Sequence, residues 1–307
     1  MATLKELSLK GKSALTSGHR MCAGCTAPII VKMITLASPS PVVVGCATGC
    51  LEVATTIFPY TAWASPFIHN AFENVAATVS GVETAYRALK KKGEIKDDIK
   101  FIAIGGDGGT YDIGIQSLSG AMERGHDMLC VCYDNEAYMN TGIQRSGATP
   151  RGAATTTCPI GKEIPGKLQY RKDLVAIMAA HSIPYVAQAS PGYYQDLVKK
   201  AEKAFSITGP KFMNVLMPCN LGWGYPQDQG IELAKLAVET CFWPLYEVEN
   251  GKYRVTYIPK EKKPIVEFYK TQKRFAHLFK PENKQLLDEI QVHVDKAWAD
   301  ILKKSES

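Results

Sequence analysis

The sequence predicts an α/β protein with a mostly parallel sheet and helices on both faces of that sheet. Short apolar runs alternate with helical segments through most of the 307 residues. Such alternation is typical of crossover units, whose strands are continuously apolar because both faces of the sheet are covered. The composition, 46% hydrophobic and 21% charged, is that of an ordinary globular protein.

The helices and strands are predicted from the periodicity of apolar residues and from the Gly and Pro residues that mark the turns between them. In chain order we predict helix 27–36, strand 42–44, an irregular loop 51–68, helix 70–91, strand 101–104, helix 114–124, strand 128–133, a loop 134–168, helix 174–181, strand 185–189, helix 193–206 and strand 212–217.

The pattern changes after residue 240. Aromatic and β-branched residues alternate over 242–257, which predicts a hairpin about Asn250-Gly251, and a helix is expected over 282–303. We therefore divide the chain into a main domain, 1–240, and a C-terminal extension, 241–307, packed on it.

Charge and hydropathy exclude several classes of function. The net charge is only +6, and no basic block is interleaved with aromatic residues, so nucleic acid is not an expected partner. No segment approaches the roughly 20 apolar residues of a membrane span, and the N-terminus lacks the apolar core of a signal peptide. We expect a cytoplasmic protein whose cysteines are thiols or metal ligands rather than disulfides.

The central segment, 101–147, carries an acid at the end of one strand and an amide at the end of the next. Asp107 lies among Gly106, Gly108 and Gly109, and Asn135 follows the second strand. The carboxyl ends of parallel strands share one edge, where ligands of such sheets bind. A tight turn with a solvated acid is the competing interpretation of the glycine-rich segment alone.

The spacing of these residues suits a divalent cation. Mg²⁺ prefers oxygen ligands and commonly shares them with phosphates. The Asp107 carboxylate, the Asn135 amide oxygen and the Ala137 carbonyl would supply three, and diphosphate oxygens and a water would supply the rest. The glycines would let backbone amides approach the phosphates.

The cysteines form two groups. Cys22-x-x-Cys25 alone fits zinc, an iron–sulfur cluster or a redox dithiol. Cys50 and Cys219 each follow a predicted strand, so they lie near the Asp107 motif, and four thiolates fit a [4Fe–4S] cluster. Cys46 is an alternative to Cys50. The remaining cysteines are expected to be core or unpartnered thiols: Cys130, Cys132, Cys158 and Cys241.

The motif residues resemble a known family. Gly106-Asp107-Gly108 followed by Asn135 resembles the diphosphate-binding signature of thiamine diphosphate enzymes. With residues 135–150, NEAYMNTGIQRSGATP, the chain resembles the β subunits of pyruvate:ferredoxin oxidoreductases, in the 2-oxoacid:ferredoxin oxidoreductase family, from about residue 18 to residue 224. The resemblance implies a thiamine diphosphate-binding (diphosphate-domain) fold.

The resemblance also implies roles for single residues. Asp107, Asn135 and the Ala137 carbonyl would hold Mg²⁺, and Asn140 would face the thiazolium and the substrate as the catalytic residue. The implied cluster ligands are Cys22, Cys25, Cys50 and Cys219, with Cys50 preferred over Cys46. The implied cofactor-binding set is Gly106, Asp107, Gly108, Gly109, Asn135, Ala137, Tyr138, Asn140 and Cys50. Thr26 stands where the family has glycine, and it would be strained if that turn required a positive φ.

The chain by itself does not supply every group that the implied chemistry needs. The acids near the motifs are Glu52, Glu73, Glu123 and Glu136, of which Glu73 and Glu123 fall in predicted helices. The resemblance implies that an α subunit supplies the glutamate that activates the cofactor and the substrate contacts. It further implies γ and δ subunits, the latter with ferredoxin-like clusters. We therefore expect the isolated chain to be inactive.

The expected activity is the oxidative decarboxylation of pyruvate to acetyl-CoA and CO₂, and the reverse synthesis, with electrons passing through the cluster to ferredoxin. Alternatives are another 2-oxoacid (oxalate, 2-oxoglutarate, branched-chain or aryl), a non-redox thiamine diphosphate lyase, and a module that only carries electrons. His69, at a predicted helix start, is either a cap or packing residue or a contact near the cofactor.

Overall fold

The computed structural model of the protein describes Glu6, Leu9 and residues 13–161 and 163–306. Its strands are β1 Val42–Ala47, β2 Phe67–Asn70, β3 Lys100–Gly106, β4 Leu129–Asp134, β5 Tyr185–Ala189, β6 Lys211–Leu216, β7 Tyr246–Glu249 and β8 Lys252–Val255. From residue 13 onwards, its α-helices are α1 Ala27–Leu36, α2 Cys50–Thr55, α3 Val75–Lys91, α4 Ile115–Glu123, α5 Leu174–Ala179, α6 Tyr194–Ser206, α7 Asn220–Trp223, α8 Gly230–Glu239, α9 Ile265–Tyr269 and α10 Lys284–Glu306.

The strands form one eight-stranded sheet in the order β2-β1-β3-β4-β6-β5-β7-β8. The first six in this order are parallel, and the β7–β8 hairpin adds to β5 in antiparallel fashion. The carboxyl ends of β1, β3, β4 and β6 therefore lie at one edge of the sheet. The expected α/β fold with a mostly parallel sheet is confirmed.

Each face of the sheet carries its own apolar core. On one face α1 and α6 pack over alternate residues of the central strands, such as Ile102, Val131 and Met213. On the other face α3, α4 and α5 cover the intervening residues, such as Ala103 and Phe212. This alternation explains why the central strands are apolar at almost every position.

The predicted irregular loop 51–68 was wrong in two places. Its start is α2, and its end, Phe67–Asn70, is β2, which pairs with β1. β2 is a four-residue edge strand that includes the exposed His69, so it lacks the apolar run of a central strand. The following helix begins at Val75 rather than at residue 70, and Glu73 lies in the turn before it.

The C-terminal extension continues the same sheet. The predicted hairpin about Asn250-Gly251 is present, with both residues at positive φ, and it pairs with β5 through β7. A third apolar core joins α9, α10 and the 3₁₀ segment Lys273–Phe279 to α7 and α8. The division at residue 240 stays a prediction, since the two parts share one sheet.

Within the described residues, no helix has both the length and the apolar character needed to cross a membrane.

Candidate functional site

Asp107 lies at the carboxyl end of β3 and is fully buried. Its Oδ1 accepts a hydrogen bond of 3.2 Å from the Asn135 backbone N–H, and its Oδ2 accepts one of 2.5 Å from the Ser146 hydroxyl. Burial raises the pKa of Asp107 well above its usual range, and the nearby Asp134 carboxylate adds to this rise. A cation beside Asp107 would reverse that effect.

Three side-chain and backbone groups meet beside Asp107. One terminal atom of the Asn135 amide lies 2.7 Å from Asp107 Oδ1 and 2.8 Å from the Ala137 carbonyl oxygen. Without a cation, the amide nitrogen in this place donates to both oxygens. With a cation, the amide oxygen takes the same place, and three oxygens then face one point, which is the donor set that Mg²⁺ prefers.

The glycines after β3 make room for aromatic rings and tight backbone turns. A Cβ at Gly108 would lie 2.4 Å from the Tyr138 ring, which stacks on Phe72 with a centroid separation of 5.5 Å. A Cβ at Gly109 would lie 3.0 Å from the Phe72 carbonyl oxygen. The chain from Gly108 to Asp112 forms a π-helical turn, a rare feature that often marks functional sites.

A buried network of charged side chains lies beneath these groups. The sequence did not predict it, because its members are far apart along the chain. Arg171 contacts Asp134 at 2.5 Å and Glu136 at 3.0 Å, and Arg274 contacts Glu136 from the other side. Lys167, also buried, donates to backbone carbonyls of the 146–149 segment. A run of three polar residues, Asp134-Asn135-Glu136, directly after an apolar strand was the only signal available.

The four expected cluster cysteines gather at the same edge of the sheet. Burial raises the pKa of the Cys25 thiol to about 12, and Cys219, Cys50 and Cys22 each add to the rise, which places all four within electrostatic reach. Cys50 begins α2 and Cys219 precedes α7. Burial likewise raises the pKa of Cys50, to about 11. We name Cys22, Cys25, Cys50 and Cys219 the cysteine corner.

The other cysteines lie elsewhere. Cys46 is buried within β1, where its thiol donates to the Ala47 carbonyl oxygen, and it belongs to the apolar core. Cys130 and Cys132 are buried in β4, as expected for core thiols. Cys158 and Cys241 take no part in the cysteine corner, and burial raises the pKa of Cys241 to about 11.

The turn does not require a positive φ at Thr26, so this residue is not strained. Thr26 has a φ of −86°, and the left-handed residue of this turn is Gly24, with a φ of +80°. A Cβ at Gly24 would meet the Gln227 carbonyl oxygen at 2.1 Å, so glycine is required there instead. The Thr26 hydroxyl donates to the Pro218 carbonyl oxygen at 3.2 Å, which ties the Cys22–Cys25 turn to the segment before Cys219.

Asn140 joins the two halves of the site. Asn140 is exposed, and its side-chain amide partly opposes the rise in pKa that burial causes in the Cys50 thiol. Asn140, Tyr138 and Gly108 line a cavity of about 20 Å³ that also includes Cys50 and Asn135. So small a cavity makes this edge a shallow surface rather than a closed pocket.

The acids that the sequence singled out have different environments. Glu52 is buried, accepts a hydrogen bond of 2.9 Å from the Thr56 hydroxyl, and contacts His69 Nδ1. Glu73 and Glu123 are exposed, as expected for surface acids. His69 lies at the end of β2 rather than in a helix, so its expected role as a helix cap was wrong.

Comparison with known proteins agrees with this geometry. The family profile of the thiamine pyrophosphate enzyme C-terminal TPP binding domain matches residues 44–215. The chain is 56% identical over 299 residues to the pyruvate synthase subunit PorB of Thermotoga maritima, covering 95% of this chain and 92% of that relative. It is 55% identical over 280 residues to the PorB subunit of Methanocaldococcus jannaschii, covering 91% and 93%.

A solved structure shares the fold. The 2-oxoglutarate:ferredoxin oxidoreductase of Magnetococcus marinus, solved with 2-oxoglutarate, coenzyme A and succinyl-CoA, superposes with a TM-score of 0.55. The match is 19% identical and covers 72% of this chain and 79% of that one. The sequence relatives and the family profile, each spanning more than half of the chain, decide the family. The chain belongs to the thiamine pyrophosphate enzymes and, among them, to the PorB subunits of pyruvate synthase in the 2-oxoacid:ferredoxin oxidoreductase family.

Proposed function

We propose that the chain is the β subunit that binds thiamine diphosphate through Mg²⁺ in an enzyme that converts pyruvate and CoA to acetyl-CoA and CO₂, and catalyses the reverse synthesis. The bond between the carboxylate and keto carbons breaks and CO₂ leaves. The CoA thiol loses its proton and takes the acetyl group, and the two electrons released pass one at a time to ferredoxin. The observation that carries the proposal is the meeting of Asp107, Asn135 and the Ala137 carbonyl at the carboxyl edge of the sheet.

The metal ligands in this proposal are the Asp107 carboxylate, the Asn135 amide oxygen and the Ala137 carbonyl. Diphosphate oxygens and a water would supply the remaining oxygen ligands that Mg²⁺ prefers. Gly106, Gly108 and Gly109 leave the backbone open to the phosphates. Thiamine diphosphate, when bound, supplies the electron sink for decarboxylation. Asn140 faces the substrate and orients it through its side-chain amide.

The cysteine corner holds one [4Fe–4S] cluster in this proposal. Within the described residues, no three His, Cys, Asp or Glu side chains are spaced for a single metal ion. A [4Fe–4S] cluster makes a different demand, because each of its four thiolates binds a different iron. Backbone N–H groups support the sulfurs, since Ala27 donates to Cys25, and Gly222 donates to Cys219 at 3.4 Å.

A cluster held by the cysteine corner would lie beside the chemistry, because Asn140 and Cys50 line the same small cavity. The residue proposed to orient the substrate is thus a neighbour of a proposed cluster ligand. The cluster, when bound, would accept electrons there without a long path through the chain. A non-redox lyase would not need this arrangement, which favours the oxidoreductase over that alternative.

The site is completed by other subunits. The cavity of about 20 Å³ is too small to enclose thiamine diphosphate, so a second chain must cover the cofactor. We propose that an α subunit does so and supplies the activating glutamate and substrate contacts. γ and δ subunits, the latter with ferredoxin-like clusters, ferredoxin and CoA are the further partners. His69, held by Glu52 at the neighbouring strand end, is a proposed contact near the cofactor.

The test uses the assembled complex, purified without oxygen. We expect iron, magnesium and thiamine diphosphate to co-purify, a broad visible absorbance that dithionite bleaches, and ferredoxin reduction that requires both pyruvate and CoA. A panel of 2-oxoacids should show pyruvate as the preferred substrate. A colourless complex that decarboxylates pyruvate without reducing ferredoxin would instead establish the lyase. Full turnover by the chain alone would exclude the shared site.

A further inference from the structure

Glu136 stands between two of the proposed metal ligands, Asn135 and Ala137. Its φ is +66°, a left-handed conformation that is strained for a residue other than glycine. This turn directs the Asn135 side chain and the Ala137 carbonyl to the same point, 2.8 Å apart. The conformation of Glu136 therefore sets the geometry of the Asn135 loop, by which we mean residues 134–140.

Four polar groups of Glu136 have partners. Its backbone N–H donates to Asp134 Oδ1 at 3.1 Å, and its carbonyl oxygen accepts from the Thr149 hydroxyl at 2.6 Å. Its carboxylate is fully buried, with Oε1 at 3.0 Å from Arg171 and Oε2 at 2.5 Å from Arg274. A residue other than glycine keeps a left-handed conformation only where contacts with its surroundings hold it in place. The hydrogen bonds and ion pairs of Glu136 do this.

The two arginines are not equivalent. Arg171 divides its guanidinium among Glu136, Asp134 and the Tyr111 hydroxyl. Arg274 donates from Nη2 to Glu136 Oε2, and its Nε donates to Gln272 Oε1 at 2.9 Å. Arg171 thus pairs with two carboxylates, whereas Arg274 pairs with that of Glu136.

Arg274 is itself firmly held. It is buried in the 3₁₀ segment Lys273–Phe279 of the C-terminal extension, with its guanidinium 4.1 Å from the centroid of the Trp223 ring. The Trp223 indole N–H in turn donates to the Asn135 carbonyl oxygen at 2.8 Å. The extension therefore reaches the Asn135 loop through Arg274 directly and through Trp223 beneath it.

We propose that Arg274 is a positioning residue for the metal site: by fixing the Glu136 carboxylate, it holds Asn135 and Ala137 turned towards Asp107. The inference rests on the proposed function, because it requires that these groups bind a cation. It assigns the C-terminal extension, which lies outside the matched family profile, a part in cofactor binding.

The test measures Mn²⁺ binding to the assembled enzyme after chelation of Mg²⁺, with thiamine diphosphate present and free Mn²⁺ counted by its room-temperature EPR signal. Removal of a group that orients metal ligands typically lowers metal affinity about 10- to 100-fold. We expect Arg274→Met to weaken Mn²⁺ binding within this range, and Arg274→Lys, which keeps the charge, to recover part of the loss.

Arg151→Met is the matched control. It removes an arginine that pairs at 2.8 Å with Glu289 of α10, another link between the 134–173 segment and the C-terminal extension that does not touch Glu136. We expect Arg151→Met to retain the wild-type Mn²⁺ affinity. If Arg274→Met binds Mn²⁺ as the wild type does and loses only thermal stability, the role is structural and the inference is overturned.

Two further variants keep the outcome decisive. Should Arg274→Met fail to assemble, Arg274→Gln retains an N–H donor for Glu136 without the charge, and we expect about 10-fold weaker Mn²⁺ binding; wild-type affinity in this variant would overturn the inference. Asp107→Ala separates the two proposals. If the wild type and Asp107→Ala bind Mn²⁺ equally, the proposed metal site itself is wrong.

Discussion

The Asn135 loop and the cysteine corner lie at the same edge of one sheet and are built in opposite ways. Glu136 in the loop and Asp107 beside it are fully buried, and hydrogen bonds and ion pairs hold their carboxylates. In the corner, Cys22 is exposed and the other three cysteines are partly buried, and the Cys219 sulfur accepts a long hydrogen bond of 3.4 Å from the Gly222 backbone N–H.

The difference follows from what each region binds in the proposed enzyme. Mg²⁺ demands nearly ideal octahedral geometry, so its protein ligands must be placed beforehand. A [4Fe–4S] cluster brings a rigid framework of its own, and the thiolates can close around it. The loop is therefore expected to keep its shape without a ligand, whereas the corner depends on its cluster.

The largest expected effect is that of Asp107→Ala. Loss of the only carboxylate among the proposed metal ligands should lower pyruvate-dependent ferredoxin reduction by more than about 100-fold, since even residues that merely orient metal ligands cost 10- to 100-fold. Thiamine diphosphate content after gel filtration measures the cause, and we expect it to fall with activity. Full cofactor retention would show that Asp107 does not anchor the diphosphate.

The next effect compares two neighbouring cysteines. Cys50→Ser should remove most of the cluster iron and the visible absorbance, because a cluster ligand is lost. Cys46→Ser should keep the iron and lose about 1–3 kcal/mol of stability, because it places a hydroxyl in an apolar core. Iron analysis and thermal unfolding check both variants. The opposite pattern of iron loss would make Cys46 the ligand.

Cluster removal should separate the two regions directly. In hydrogen exchange on the assembled enzyme, amides of residues 19–27 and 219–224 should exchange about 10-fold faster after iron is removed, through local opening. Amides of residues 105–112 and 133–137 should keep their protection, because buried side chains hold them. Equal deprotection of both regions would show that the loop also depends on the cluster.

The smallest effect is a pH dependence of the C-terminal extension that supports the loop. Burial lowers the pKa values of His277 and His293, so the folded chain favours the neutral rings. Their contribution to stability is present above the ordinary histidine pKa of about 6.5 and is lost as the pH falls below it.

Thermal unfolding between about pH 7.5 and pH 5 measures this loss against the ordinary histidine value. His293→Phe, which keeps the stacking on Tyr170, should reduce the pH dependence. An unchanged profile in this variant would show that His293 does not contribute.

The sequence predicted the sheet well because its strands are covered on both faces. The five strands predicted between residues 42 and 217 are all present. Apolar runs such as 185–189 must be buried in a globular chain, and a strand covered on both faces buries all of their side chains. β2 was missed because a short edge strand with a polar end carries no such run. The sequence also predicted that Asp107 and Asn135 lie together, and they do, because they follow neighbouring parallel strands.

The support beneath the site could not be predicted. The pairing of Glu136 with Arg274 and of Asp134 with Arg171 joins residues far apart in the sequence. No local pattern shows which arginine will be buried, because the burial depends on the packing of the C-terminal extension against α7. The role of Asn140 was implied by the resemblance of its motif to a known family, and it stays a prediction.

The separation between Glu136 and Arg274 has a consequence for biosynthesis. The two residues are 138 positions apart, and a ribosome adds about 5–20 residues per second, so Arg274 is made on the order of ten seconds after Glu136. During this interval the strands of the main domain can pair while the Glu136 carboxylate lacks one of its two cations. Thiamine diphosphate would then meet a finished binding edge only once Arg274 has been made and has reached Glu136.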